Sequence, residues 1–218
     1  MHSILALTER DRAILEALGL RVRLFSLAQL SDGYFSGFDC AAKRRVKQLS
    51  ASRLVDTQSV VTRKLPEFDV PLVRWAPGDS RPNFGQVAAK LQHRWSFLRT
   101  RTTKVVTLGK NGARLSGMPP RTRLRQPLHV AHDLALAELF VRYRSRYPEI
   151  AASWIGEDIF GTLCRDFHVA GGAVPDALIV DPEHRPTRAI EIGGVYSQRR
   201  IASLHRSLSK RELPYELW

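Results

Sequence analysis

From Ser80 to His132 the chain contains no acidic residue. Eleven Lys and Arg fall in that stretch, so no carboxylate in the local sequence neutralises them. Other absences narrow the class further. There are two cysteines, Cys40 and Cys164, too few for a disulfide framework or a cysteine-based zinc site. No apolar run approaches the roughly 20 residues that span a bilayer. The first residues show no basic region leading into an apolar stretch, so no secretory signal is expected and the expected compartment is the cytoplasm, with no membrane partner. No internal repeat or low-complexity segment is visible. Gly171-Gly172 precedes an expected strand rather than a helix, which does not make a phosphate loop.

What is present is positive charge, unevenly spread. The net formal charge is +13 over 218 residues. Residues 1–128 hold 23 Lys/Arg against 9 Asp/Glu, whereas residues 129–218 hold 11 against 12. A basic surface can serve solubility alone. Asymmetry between halves points instead to a polyanion, because phosphates attract clustered cations and release counterions on binding.

The first 78 residues read as a small DNA-binding module. Thr8 caps a helix whose first turn is acidic (Glu9, Asp11), with Ile14, Leu15 and Leu18 at helical spacing and Gly19 as its stop. Ser26 caps a second short helix. A third is expected from Asp39 to Ser50, with Ala42, Val46 and Leu49 inward and Lys43, Arg44, Lys47 and Gln48 outward. Val60–Leu65 and Leu72–Trp75 read as a strand pair. Three helices followed by two strands is the order of a winged helix-turn-helix, in which the third helix enters the major groove and the wing touches phosphate. On that reading Lys43, Arg44, Lys47 and Gln48 face the bases, and Arg63 and Lys64 lie near the wing tip. The competing reading is a three-helix domain whose basic face is merely solvated.

Residues 79–128 read as a basic linker or subdomain. Pro77-Gly78 to Pro82 is a candidate linker, Phe84 to Trp95 has helical spacing, Thr102 to Leu108 reads as a strand, and Lys110-Asn111-Gly112 as a turn. Arg121, Arg123 and Arg125 lie in a proline-rich stretch and are candidate phosphate clamps.

Residues 129–218 read as α, β, β, β, α, β. The first helix, His129 to Tyr147, is apolar over a wide face, as a helix covering a sheet must be. Two short apolar strands each carry one acid, Asp176 in Val174-Pro175-Asp176-Ala177-Leu178-Ile179-Val180 and Glu191 in Ala189-Ile190-Glu191-Ile192-Gly193, with a turn-rich segment between them. Two carboxylates on neighbouring strands are what a hard dication such as Mg²⁺ requires. The layout resembles the PD-(D/E)xK nuclease superfamily, whose catalytic lysine stands two residues after the second acid. Here that position is Gly193. Glu138 on the preceding helix is a candidate third ligand and Glu157 another. Gln198, Arg199 or Arg200 could take the lysine's place, although an arginine is a poor base. The acids can equally pair with Arg188, Arg199 or Arg200 as structural remnants, and the missing lysine favours a non-catalytic domain. His129 and His132 share a helix face, but no third ligand follows at a metal-site spacing. His205 reads as a hydrogen-bonded core histidine, and Trp75, Trp95, Trp154 and Trp218 as packing residues.

The sequence "HDLALAELFVRYR", then "PDALIV", "RAIEIGG" and "RRIASLHRSL…LPYELW" after an N-terminal winged helix, resembles the replication-relaxation family of bacterial mobile elements. The resemblance implies an α+β chain: a winged helix-turn-helix (1–78), a basic linker (79–128) and a PD-(D/E)xK-like domain (129–218). It implies a double-stranded DNA-binding protein of a plasmid or integrative element, a transcriptional regulator or a replication or transfer accessory factor. The expected assembly is a homodimer whose nuclease-like domain serves dimerisation or a protein partner from the same element, with no cofactor. The alternative is a Mg²⁺-dependent DNA endonuclease or nickase using Asp176 and Glu191.

Overall fold

The computed structural model describes residues 5–96, 98–118, 127–160 and 174–218. The chain is mixed α+β with two sheets. It divides into two compact units, neither continuous in sequence: Met1–Lys64 with Thr100–Pro148, and Leu65–Arg99 with Glu149–Trp218. The chain therefore passes between units three times, and the division does not follow boundaries at 78 and 128.

Unit 1 begins where the sequence places it. α1 (Glu9–Glu16) opens on a capping box: the Asp11 N–H donates to Thr8 Oγ1 (3.3 Å), and the Thr8 N–H donates to Asp11 Oδ2 (2.7 Å), satisfying two helix-end donors reciprocally. Gly19 does not end the helix, which continues as a wider π-type turn over Ala17–Arg21. β1 (Leu24–Ser26) leads into α2 (Leu27–Tyr34), capped by the same device between Ser26 and Gln29. α3 (Asp39–Ala51) buries Ala42, Val46 and Leu49, the three residues its periodicity assigns inward.

β2 (Val55–Arg63) does not pair with the segment 72–75, as the sequence led one to expect. Its partner is β4 (Thr100–Leu108), in nine consecutive antiparallel pairs from Val55↔Leu108 to Arg63↔Thr100. β1 pairs with the other edge of β4, giving the order β1-β4-β2. The reason is length: β4 offers a nine-residue ladder, against three residues in 73–75. Lys110-Asn111-Gly112, a turn signal in sequence, instead opens α5 (Lys110–Ser116). Gly112 is required there because a Cβ would come within 2.2 Å of the Leu54 carbonyl oxygen. α6 (Pro127–Arg146) packs against α2, β1 and β2 and so belongs to unit 1, not to the C-terminal unit. Val130, Leu134, Leu139, Phe140 and Tyr143 are all buried, the pattern of a helix enclosed on most sides.

One ion pair fixes α3 to α1. Asp11 is fully buried, and Arg45 grips both its oxygens (Nε to Oδ1 2.9 Å, Nη2 to Oδ2 2.5 Å) while also donating to the Ala6 carbonyl at 2.8 Å. Burial alone would raise the Asp11 pKa. Hydrogen bonds from Arg45 and Thr8, together with the Arg45 charge, outweigh it and hold the carboxyl below its ordinary range.

Unit 2 is a five-stranded sheet in the order β3 (Val73–Trp75), β8 (Tyr215–Leu217), β7 (Pro186–Glu191), β6 (Ala177–Val180), β5 (Trp154–Gly156). All neighbours are antiparallel except β7 and β8, which are joined through α8 (Gln198–Ser209), the kind of crossover that parallel strands need. A short helix, α7 (Pro148–Ala152), precedes β5. α4 (Phe84–Ser96) packs against α8. Between 65 and 99, then, lies an edge strand and a helix of unit 2 rather than a linker. Trp75, Trp95, Trp154 and Trp218 are all buried. His205 Nδ1 lies 3.0 Å from the Tyr215 hydroxyl, with the ring edge-on to Trp75. Burial, then the Arg81 charge, keeps His205 below the usual histidine range. The buried Glu216 is held by Arg74, Arg188 and the Trp218 indole. Among the described residues, no helix is long and apolar enough to cross a membrane.

Arg45→Ala leaves the Asp11 carboxylate buried without its cation, so equilibrium unfolding should show a loss of about 3 kcal/mol. Because the folded pKa of Asp11 is depressed, its contribution is complete above the unfolded value near about 4 and declines as pH falls below it. Asp11→Asn should therefore flatten the acid limb of the stability curve; an unchanged limb would show that the pair contributes nothing there.

Candidate nucleic-acid interface and carboxylate pair

The two units differ sharply in charge. Unit 1 contains 21 Lys/Arg and 8 Asp/Glu, and unit 2 contains 13 of each. The whole formal excess of +13 therefore resides in unit 1. Reading along the chain placed the excess in residues 1–128. The fold moves the 65–99 segment out and α6 in, and the asymmetry becomes complete.

On α3, Lys43, Arg44, Lys47 and Gln48 are all exposed, opposite the buried stripe. Gln48 Oε1 accepts from Arg45 Nη1 at 2.9 Å, so the buried ion pair also fixes one residue of the outer face. Arg45 is the residue sequence reasoning passed over. It lies between the inward and outward faces, and its partner Asp11 is 34 positions away, beyond any local pattern. Arg63 ends β2 and Lys64 follows it, both exposed. Through the β2–β4 register, exposed Arg101 and Lys104 of the partner strand join them on the same ribbon. Arg121, Arg123 and Arg125 lie outside the described residues.

In unit 2 the two acids are cross-strand neighbours. The β6–β7 register ends at Ala177↔Ile190, and Asp176, just before β6, and Glu191, the last residue of β7, lie one step beyond that pair. The Ile192 N–H donates to Asp176 Oδ2 at 2.7 Å, which holds the ends of the two strands together. Glu191 is 2% exposed, and its Oε1 accepts from the Tyr196 hydroxyl at 2.8 Å. Burial, followed by the negative charges of Glu191 and Asp176, pushes the Tyr196 phenol far above its ordinary pKa. The phenol stays a proton donor to Glu191. Tyr196 went unnoticed in the sequence because it follows the strand by five residues in an irregular turn.

The position that would carry a lysine is filled from elsewhere. A Cβ on Gly193 would come within 2.4 Å of Leu91 Cδ2 and 2.8 Å of Leu91 Cδ1. The Gly193 carbonyl accepts from Trp95 Nε1 at 2.6 Å, and its N–H donates to the Trp218 carbonyl at 2.9 Å. α4 thus lies directly over the strand end. Of the candidate substitutes, Gln198, Arg199 and Arg200 occupy the exposed first turn of α8, and only Arg200 is drawn inward, its guanidinium 5.5 Å from the Tyr196 ring centroid.

Glu138 belongs to unit 1, where its carboxylate takes a hydrogen bond from Gln29 (3.2 Å) and lies 3.7 Å from Arg142. Glu157 stands beside the pair through its backbone, its N–H donating to the Asp176 carbonyl at 3.1 Å. Among the described residues no three His, Cys, Asp or Glu side chains converge. Asp176 and Glu191 are the two residues that would hold a Mg²⁺ ion at this pair, although Glu191 is buried and one oxygen of each already accepts a hydrogen bond.

No family model, curated protein or solved structure matches the chain.

Gly193→Ala should destabilise the chain by about 1–3 kcal/mol through overpacking against α4. Adding Leu91→Ala should recover part of that loss, a coupling that a double-mutant cycle reads directly. Additive losses would mean that the two positions do not touch.

Proposed function

We propose that this protein binds double-stranded DNA through unit 1, as a winged helix-turn-helix regulator or accessory factor of the replication-relaxation type. The observation that carries the reading is the charge division: unit 1 holds the entire +13, and the outer face of α3 presents Lys43, Arg44, Lys47 and Gln48. The element order α1-β1-α2-α3-β2-β4 and the sheet order β1-β4-β2 support the reading of a module whose third helix would enter the major groove and whose strand pair would form the wing. Arg44 and Lys47 would read base edges, Arg preferring guanine O6 and N7. Arg63, Lys64, Arg101 and Lys104 would neutralise phosphates along the ribbon. Exposed cations beside a helix held rigid by the Arg45–Asp11 pair form a preorganised reading surface.

Unit 2 supports a PD-(D/E)xK-like domain without the catalytic lysine. Three antiparallel strands, a helical crossover and a parallel fourth strand support that reading, with Asp176 just before β6 and Glu191 at the end of β7. The closure of position 193 by Leu91 favours a domain that no longer cleaves, used for self-association or for a partner from the same element. The opposition of the two carboxylates is the one feature favouring a Mg²⁺-dependent endonuclease instead.

Duplex binding followed by fluorescence anisotropy should weaken steeply with salt, with a slope of about −0.9 per neutralised phosphate; a flat response would sink the DNA reading. Selection from a randomised duplex pool should enrich a defined site for the wild-type protein, and Arg44→Ala with Lys47→Ala should lose that enrichment at unchanged melting temperature. Supercoiled plasmid should shift in mobility without nicking in Mg²⁺ or Mn²⁺. Nicking that disappears in Asp176→Ala/Glu191→Ala would establish the endonuclease.

A further inference from the structure

Unit 2 is neutral in sum but not in surface. Among the described residues of unit 2 the two long helices are α4 and α8, and neither contains an acidic residue. At 3.6 residues per turn, Arg199, Ser203, Arg206 and Lys210 fall within about 60° of arc, opposite the buried Ile201, Leu204 and Leu208. All four outer residues are exposed. α4 repeats the pattern: exposed Gln86, Lys90 and His93 share one arc, opposite the buried Ala88, Leu91 and Trp95. The two helices pack side by side, so the stripes lie on one helical layer. The described acids of unit 2 lie off these two helices: Asp181 and Glu183 on the β6–β7 turn, Glu149 in α7, Glu157 and Asp158 after β5, Asp176 before β6, Glu191 and Glu216 buried, Glu67, Asp69 and Asp79 in the segment ahead of α4, and Glu212 just after α8.

Helix energetics do not account for this placement. Arg199 and Arg200 occupy the first turn of α8, where the helix dipole favours anions and disfavours cations. There are no carboxylates at i±4 along α8 to offset them. The spacing does fit a phosphate backbone: Arg206 and Lys210 are four residues apart, about 6 Å along the axis, close to two phosphate steps of one strand at about 3.4 Å each. A protein partner fits less well, because protein interfaces have an apolar centre. The exposed large apolar residues among those described are Phe38, Val61, Val70, Leu115, Tyr147 and Val195, and none lies on α4 or α8.

We propose that the outer face of the α4–α8 layer is a second phosphate-binding surface, carried by Arg199, Arg206, Lys210 and Lys90, through which unit 2 holds duplex DNA independently of α3. The inference rests on the DNA-binding reading of unit 1. Unit 2 is then an ancillary grip on the same polyanion, lengthening the bound duplex and raising affinity without adding sequence preference, since phosphate contacts position and do not specify.

The test uses the full chain and duplexes of increasing length. Arg199→Ala/Arg206→Ala/Lys210→Ala should lower the magnitude of the salt slope by about 2–3 and weaken affinity at least tenfold on long duplexes, leaving the pool-selected site unchanged. In parallel, acetylation mapped by mass spectrometry should show Lys90 and Lys210 protected by DNA, and that protection should persist in Arg44→Ala/Lys47→Ala. Wild-type slope in the triple variant, or full acetylation of Lys90 and Lys210 in the complex, overturns the second surface while leaving unit 1 intact. Absence of any salt-dependent binding by the wild-type chain removes the DNA reading itself.

Discussion

The nine-pair ladder between β2 and β4 is the constraint on which the rest depends. It completes the unit 1 sheet, since among the described residues β1 pairs with β4 alone. It also fixes the two points at which the chain leaves and re-enters that unit, because Arg63 and Thr100 are paired at its last rung. The segment between them must go out and come back. Closing a loop of this length costs little more than closing a short one, since the entropy grows only with the logarithm of length. A hairpin that elsewhere needs a two-residue turn here accommodates a strand and a helix that another sheet uses.

That helix decides what the carboxylate pair can be. Asp176 and Glu191 come together through β6–β7 pairing and the Ile192–Asp176 hydrogen bond, a local event within residues 176–192. α4 arrives from residues 84–96 and sets Leu91 and Trp95 over Gly193. The same contact supplies packing for unit 2 and removes the space a lysine would need. Tyr196, with its proton held firmly by burial and two neighbouring carboxylates, donates to Glu191 and gives that buried acid a neutral partner. Packing of unit 2 and the filling of the space beside Gly193 have one cause here, a helix seated on a strand end.

The charge pattern follows the same logic. Counted along the sequence, basic residues crowd the first half; counted by unit, the excess is confined to one body and the other is balanced. Within the balanced body, neither α4 nor α8 carries a carboxylate, and the outer faces of those two helices are left with cations. Under the proposed function, one unit reads DNA and the other grips it, and the interleaved chain couples the two covalently at three places.

Local physics was legible in the residues. Thr8 and Ser26 announce their helices because a capping hydroxyl and its N3 partner are three positions apart. The stripe Ala42, Val46, Leu49 fixes which side of α3 faces outward, and with it Lys43, Arg44, Lys47 and Gln48. Asp176, just before β6, and Glu191, at the end of β7, are visible because each interrupts a short apolar run. What the sequence could not supply were pairings between distant segments. Nothing near Val60 says that its strand joins residues 100–108 rather than 72–75, nothing near Gly193 says that Leu91 covers it, and nothing near Arg45 points to Asp11. Periodicity and capping act over a few residues and are written in order along the chain. Strand partnership, buried ion pairs and close packing are decided by competition among all segments at once, and only the folded chain records the outcome.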